Sequence, residues 1–163
     1  MREDLKPLFE PIHVGGVELK NKIVMAPMGT LLCAQDSSVT QRLIDYYVER
    51  AKGGVGLIIT ETCSVDNPES GVGSGTTLAA DHDAYIPGLR KLADAIHSQG
   101  AKVIVQLLHP GPLRLGGLGS IQPVAASAIP SRLLPNAPPR ELTTDEVEGL
   151  IEKHAQAARR IQQ

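Results

Sequence analysis

This sequence of 163 residues has few aromatic side chains, few cysteines and almost no excess of either charge. It has no tryptophan, one phenylalanine and three tyrosines, so it lacks the stacking surfaces that bind single-stranded nucleic acid. The formal net charge of −2 gives no electrostatic reason to bind nucleic acid or an anionic membrane surface. No segment approaches the run of about 20 apolar residues that a membrane span requires. We therefore expect neither nucleic acid nor a membrane as a partner.

The N-terminus and the cysteines both favour a cytoplasmic protein. Residues 1–6 include two acids and no apolar stretch, which is not the pattern of a secretory signal. Cys33 and Cys63 lie far apart, with no CxxC motif and no histidine-rich neighbourhood. A disulfide framework or a metal site would need more ligands at closer spacing. We predict two reduced thiols, no metal site and a single domain.

Turn signals and apolar periodicity predict strands that alternate with helices. Gly15-Gly16 lies between two short alternating runs and indicates a β-hairpin over residues 12–19. Apolar runs of strand length predict buried strands, and apolar residues at helical spacing predict helices. Thr143 and Glu146 have the spacing of a capping box at the start of the last helix. The predicted strands cover residues 22–28, 55–61 and 102–108, the helices cover residues 41–52, 84–99 and 143–163, and a long loop covers residues 109–142.

The order of these elements predicts an α/β fold, because buried strands alternating with helices form a parallel sheet of βα units. One such architecture is a (β/α)₈ TIM barrel, of which this would be the N-terminal part, three βα units preceded by the hairpin. The other is a small doubly wound nucleotide-binding module, which would carry a glycine-rich phosphate loop after its first strand. That junction, residues 26–30, has neither a GxGxxG nor a GxxxxGK[ST] motif. We therefore favour the partial barrel.

Ligands of parallel α/β proteins bind beyond the carboxyl ends of the strands, here residues 26–30, 60–63 and 106–111. The first of these segments is apolar and contains Gly29, which suits a flat heteroaromatic ring that needs few hydrogen bonds. Methionine more often fills gaps in a core, so Met25 and Met28 also have a purely structural interpretation. The residues themselves leave both interpretations open.

Several polar side chains near these strand ends have two interpretations each. The buried amide of Gln106 needs partners, which could be a ligand ring edge or the loop of a neighbouring strand. His109 could be a structural hydrogen-bonding residue or a catalyst. Glu61 is expected to be structural, with an arginine or lysine as its partner. Arg114 and Arg132 in the long loop could face water or meet a substrate phosphate or carboxylate.

Four segments together carry a family resemblance that covers essentially the whole chain. They are residues 8–12 (LFEPI), 20–28 (KNKIVMAPM), 46–59 (YYVERAKGGVGLII) and 105–111 (VQLLHPG). In this order and at this spacing they resemble the old yellow enzyme family, in particular its NADH:flavin oxidoreductase, 2-enoate reductase and dienoyl-CoA reductase branch. The resemblance implies a (β/α)₈ barrel that binds FMN and passes hydride from NADH or NADPH through the flavin to an activated alkene.

The resemblance also implies roles for individual residues. Gln106 would hydrogen-bond the pyrimidine end of the flavin, Thr62 would approach the ring, and His109 would line the substrate cavity. Gly29 or Thr30 would lie near the reactive edge of the flavin. The segment that lines the isoalloxazine would consist of Ala26, Pro27 and Met28.

The sequence departs from the family pattern in two respects. Some relatives have a redox-tuning cysteine where this chain has Gly29, and we do not assign that role to Cys33. The substrate-anchoring histidines, the proton-donating tyrosine and the phosphate site come from later strands in the family, whereas this sequence ends at Gln163. We therefore expect an incomplete N-terminal fragment that is inactive alone and that associates with itself or with the rest of a barrel. An assembly piece without catalysis is the alternative.

Overall fold

The structure is a computed structural model that describes residues 2–66, 77–113 and 122–163. Its strands are β1 (Ile12–Val14), β2 (Val17–Leu19), β3 (Val24–Met25), β4 (Leu57–Ser64), β5 (Leu78–Ala79), β6 (Lys102–Leu108), β7 (Val124–Ala125) and β8 (Arg140–Glu141). Its α-helices are α1 (Gln41–Lys52), α2 (Ile86–His97) and α3 (Thr144–Ile161). None of the helices within these ranges has the length and apolar character to cross a membrane.

Local signals in the sequence explain where the helices begin. The Thr40 hydroxyl accepts the Leu43 N–H and caps α1, which satisfies one of the backbone donors left open at a helix start. Thr143 and Glu146 form a capping box at the start of α3, each side chain accepting the other residue's backbone N–H. Both helices therefore start at the residue that follows a threonine cap.

The central sheet is parallel, with β4 between β3 and β6. Ile58 of β4 lies in register with Met25 on one side and Val103 on the other. β5 pairs with the carboxyl end of β4, on residues beyond those that pair with β3. The register of β4 against β6 shifts between Ile59 and Thr62. Such a bulge turns side chains away from the regular alternation of a strand.

In the part of the chain that the structure describes, the helices pack on one face of this sheet. Leu43 and Tyr47 of α1 and Leu92 and Ile96 of α2 are buried in one core with Ile58. On the other face Val24 and Ile104 are 46% and 48% exposed. A (β/α)₈ barrel buries this second face inside a closed ring of strands, so the uncovered face is the one that would point into a barrel.

The predicted strand limits need two corrections. The first strand was expected over 22–28 but pairs only at Val24–Met25, because the Asn21 side chain takes the Ile23 N–H and Pro27 has no N–H to donate. The second was expected over 55–61 but runs to Ser64. It continues because its last residues pair with β6 on one side and β5 on the other.

The region expected to be a long irregular loop, 109–142, also contains regular structure. β7 and β8 form a short parallel pair, joined by N–H···O bonds from Arg140 to Pro123 and from Leu142 to Ala125. Residues 114–121, which include Arg114, lie outside the described part of the chain.

Candidate functional site

The carboxyl ends of β4 and β6 bring two of the predicted site residues side by side. Thr62 and Gln106 are register partners, and Gln106 lies two residues beyond the exposed Ile104, on the same face of the strand. Neither the Thr62 hydroxyl nor the Gln106 amide forms a hydrogen bond with any residue that the structure describes. The neighbouring-loop partner considered for Gln106 is therefore not present in that part of the chain. Both groups can meet a ligand.

The segment after β3 is open to solvent. Ala26, Pro27, Met28 and Gly29 are all exposed, and Met28 is 56% exposed. Met25, by contrast, packs against the core. Filling a core gap thus describes Met25 and does not describe Met28. An apolar, uncovered backbone segment at a strand end is the kind of surface on which a flat ring can lie.

An apolar cavity of about 380 Å³ lies next to these strand ends. It brings together three of the predicted site residues, Gly29, Thr62 and His109. Ala26, Pro27, Met28 and Gln106 are not among its lining residues, so the site divides into an open sheet edge and an adjoining cavity. The rest of the lining consists of Leu31, Thr77, Leu108, Pro110, Leu113 and Leu133.

His109 is half-buried at the boundary of this cavity. Its Nδ1 accepts the Gly111 N–H at 3.2 Å, which fixes the ring against the turn that follows β6. This hydrogen bond gives His109 the structural role that the sequence suggested. The same side chain also lines the cavity. Within residues 2–66, 77–113 and 122–163, no cluster of three or more His, Cys, Asp or Glu side chains could hold a metal ion.

A second cavity, of about 310 Å³, lies beyond His109 and is lined by charged residues that pair with one another. Arg140 binds Glu146 through its two terminal guanidinium nitrogens, at 2.9 and 2.8 Å, and this hydrogen bonding lowers the pKa of Glu146 to about 2. Lys153 contacts Asp66 at 2.6 Å. Because each charge has a partner, this cavity presents no net charge to a ligand. Arg132, the other arginine considered, is exposed.

The expectation that Glu61 pairs with an arginine or lysine is wrong. Its carboxylate is fully buried and accepts the Thr30 backbone N–H at 2.6 Å and the Cys33 thiol at 3.1 Å. Its own N–H donates to the Tyr47 hydroxyl at 2.7 Å. Two neutral donors thus replace the cation, and they come from the segment directly after β3. The sequence carried no signal for the Thr30 bond, because a backbone donor leaves no trace in side-chain identity.

Both cysteines are buried thiols. Burial is the main cause that raises the pKa of Cys33 far above its ordinary value, and the hydrogen bond to Glu61 raises that pKa further. Burial also raises the pKa of Cys63 to about 12. The thiolate is the reactive form of cysteine, so neither thiol is nucleophilic near neutral pH. Cys33 contacts Glu61 and does not line the apolar cavity.

Leu31 is held in the left-handed region of backbone conformation, with φ +56°. A residue with a β-carbon pays roughly 1–2 kcal/mol for this conformation. Hydrogen bonds fix the residues on both sides of it, from the Thr30 N–H to Glu61 and from the Leu32 N–H to the Thr30 hydroxyl. Strained backbone held in this way is common at functional sites. The side chain of Leu31 is 63% exposed and forms part of the cavity wall.

The chain belongs to the NADH:flavin oxidoreductase / NADH oxidase family, whose sequence model matches residues 7–163. It is 47% identical over 152 residues to an NADH oxidase of Thermoanaerobacter brockii, covering 93% of this chain and 23% of that protein. It is 36% identical over 162 residues to a cinnamate reductase of Clostridium sporogenes, covering 97% of this chain and 24% of that protein. The chain thus spans about a quarter of the length of these relatives.

Solved structures show the same fold over part of their length. The structure of morphinone reductase with tetrahydroNAD matches with a TM-score of 0.85 and 30% identity, over 95% of this chain and 46% of that one. A 2-naphthoyl-CoA reductase matches with a TM-score of 0.87 and 30% identity, over 96% of this chain and 26% of that one. The α/β fold therefore matches a partial region of the old yellow enzyme barrels. Members of this family use FMN with NADH or NADPH.

The residues at the strand ends fit an FMN ring. The edge of the isoalloxazine carries hydrogen-bond donors and acceptors, and the Gln106 amide offers one of each. A β-carbon added at Gly29 would meet no heavy atom of the described residues within 4 Å, so the backbone there is open to close approach. The apolar cavity is lined by Gly29 and by Thr62, the register partner of Gln106. Apolar walls with a few placed polar groups are what a flat heteroaromatic cofactor requires.

Proposed function

We propose that this chain forms the flavin-ring side of an FMN-dependent reductase that passes hydride from NADH or NADPH to an activated alkene. The observation that carries the proposal is the register pair of Thr62 and Gln106, beside a cavity that includes Gly29. Bound FMN supplies a two-electron carrier that takes hydride from the nicotinamide and gives it to the alkene. The protein's part is to hold the ring and to exclude water.

Each candidate residue has a distinct task in this proposal. Gln106 holds the pyrimidine end of the ring, and Thr62 approaches the ring from the neighbouring strand. Ala26, Pro27 and Met28 form the apolar wall, and their exposure supports this. Gly29 lets the backbone come close to the reactive edge. His109, fixed by the Gly111 N–H, lines the cavity where an alkene would lie.

The alkene is proposed to be activated by a carbonyl or carboxylate group. Relatives include a cinnamate reductase, an NADH:fumarate oxidoreductase and an NADH:acrylate oxidoreductase. Cinnamate, fumarate and acrylate are all unsaturated carboxylates. The groups that anchor the substrate, donate the proton and bind the flavin phosphate are proposed to come from barrel strands other than β3, β4 and β6. We propose a cytoplasmic location, which the two buried free thiols support.

Binding of the ring without the phosphate tests the proposed function. If the chain contacts only the ring, FMN and lumiflavin should bind with dissociation constants within about threefold of each other. Gln106→Leu should weaken both, whereas Gln35→Leu, at an exposed position, should leave both unchanged. Flavin fluorescence gives the titration. Failure of lumiflavin to bind, or equal affinity in the Gln106 variant, contradicts the proposal.

We also propose that the uncovered sheet face associates, with a second copy or with the remaining strands of a barrel, and that the chain alone does not turn over. The exposure of Val24 and Ile104 supports this, because isolated proteins rarely leave such strand faces open. Light scattering at micromolar concentration should show oligomers, and Ile104→Thr should shift the distribution towards monomer. A well-folded wild-type monomer, or enone reduction by the chain alone, contradicts the respective part of the proposal.

A further inference from the structure

We propose that Glu61 is a positioning residue of the flavin site: its buried carboxylate holds Thr30 and Cys33 and thereby keeps Leu31 in the left-handed conformation that forms the cavity wall. The inference rests on the proposed function for its link to flavin. The hold of Glu61 on the segment can be measured without flavin.

The two oxygens of the carboxylate fix the two ends of one short segment. Oε2 accepts the Thr30 N–H at 2.6 Å, and Oε1 accepts the Cys33 thiol at 3.1 Å. Between these two points lies Leu31, with its positive φ. Glu61 is fully buried and belongs to the stretch of β4 where the register against β6 shifts. One side chain thus joins the irregular part of β4 to the segment that follows β3.

Other bonds around Leu31 depend on this anchor. The Leu32 N–H donates to the Thr30 hydroxyl at 3.2 Å, and the Thr40 hydroxyl donates to the Leu32 carbonyl. If the carboxylate is removed, the Thr30 N–H loses its acceptor, and the strained φ of Leu31 has less to hold it. Leucine should then leave the left-handed region and carry its side chain away from the cavity, which also contains Gly29 and Thr62.

A buried polar residue with a purely structural role provides the control. Asn21 is also buried, and its side chain donates to the Gly54 carbonyl at 2.7 Å and accepts the Ile23 N–H at 3.1 Å. Asn21 lies at the amino ends of β3 and β4, whereas Thr62 lies near the carboxyl end of β4. Loss of either residue should lower global stability. Only loss of Glu61 should loosen the Thr30–Cys33 segment in the folded protein.

Amide hydrogen exchange of the full chain, measured by NMR without flavin, tests the hold. In Glu61→Ala, loss of global stability should speed exchange of the core amides. The Thr30 and Leu32 amides should speed up by at least a further tenfold beyond that. Glu61→Gln keeps an oxygen for the Thr30 N–H and should stay within about threefold of wild type. Asn21→Ala should speed the amides that exchange through global unfolding in proportion to its lost stability, with no additional acceleration at Thr30 and Leu32. If Glu61→Ala does not fold, Glu61→Asp, one methylene too short to reach both donors, should show the same local acceleration. Unchanged Thr30 exchange in folded Glu61→Ala, or in Glu61→Asp where it takes its place, overturns the proposal.

Flavin affinity tests the link to the site. Lumiflavin should bind at least tenfold more weakly to Glu61→Ala, or to Glu61→Asp in its place, than to wild type, with recovery in Glu61→Gln and little change in Asn21→Ala. Equal affinity in all variants overturns the positioning role. If the wild-type chain binds no flavin, the proposed function is contradicted, while the exchange rates still decide whether Glu61 holds the segment.

Discussion

Replacing Tyr47 by phenylalanine is expected to lower the free energy of unfolding by about 1–3 kcal/mol, although the change removes only one oxygen atom. The Tyr47 hydroxyl accepts the Glu61 N–H at 2.7 Å, and both residues are fully buried. Phenylalanine fills the same space but leaves that N–H without an acceptor in a site closed to water. Urea unfolding followed by circular dichroism measures the difference.

The neighbouring Tyr46 gives a matched control for this loss. It is half-buried, and its hydroxyl makes no hydrogen bond with the described residues. Tyr46→Phe keeps the ring under the Arg50 guanidinium, 3.6 Å away, and the edge contact with Tyr47. We expect a change within about 0.5 kcal/mol. Equal losses in the two variants would show that the Glu61 N–H does not depend on Tyr47.

The local signals in this sequence located all three helices, although the helix expected over 84–99 is Ile86–His97 and the one expected over 143–163 is Thr144–Ile161. The expected helix over 41–52 is confirmed as Gln41–Lys52, and the capping box of Thr143 and Glu146 is confirmed. Both depend on residues within a few positions of one another. The length of β3 was not predictable in this way, because it depends on Asn21, whose side chain also reaches Gly54 after α1.

The candidate site also has features that the sequence predicts and features that it does not. The proximity of Thr62 and Gln106 follows from the general rule that parallel strands end at one edge of the sheet. The partners of Glu61 do not follow from any rule of pattern, since Thr30 lies on a different segment and contributes only its backbone. The left-handed Leu31 was equally hidden. Glycine marks such positions in a sequence, and leucine does not.

Replacing Gly56 by alanine is the second change with a large expected effect. The added β-carbon would lie 2.5 Å from the Asn21 Oδ1 and 2.7 Å from the Asn21 backbone oxygen. Moving the Asn21 Oδ1 would break the side-chain hydrogen bonds to Gly54 and Ile23. Moving the Asn21 carbonyl oxygen would require a shift of the backbone. Overpacking of this kind costs about 1–3 kcal/mol. Thermal and urea unfolding should both show the loss.

Gly149→Ala is the control that separates this clash from a general effect of adding a methyl group. Gly149 lies inside α3, and an added β-carbon there meets no atom of the described residues within 4 Å outside the helix's own backbone. Alanine should stabilise the helix by about 0.5–1 kcal/mol, so the two glycine variants should change stability in opposite directions. A Gly56→Ala chain as stable as wild type would mean that Asn21 moves aside without losing its bonds. Because Gly56 lies at the amino end of β4 and Thr62 near its carboxyl end, the folded Gly56→Ala chain should still bind lumiflavin as wild type does. The position therefore separates loss of stability from loss of the site.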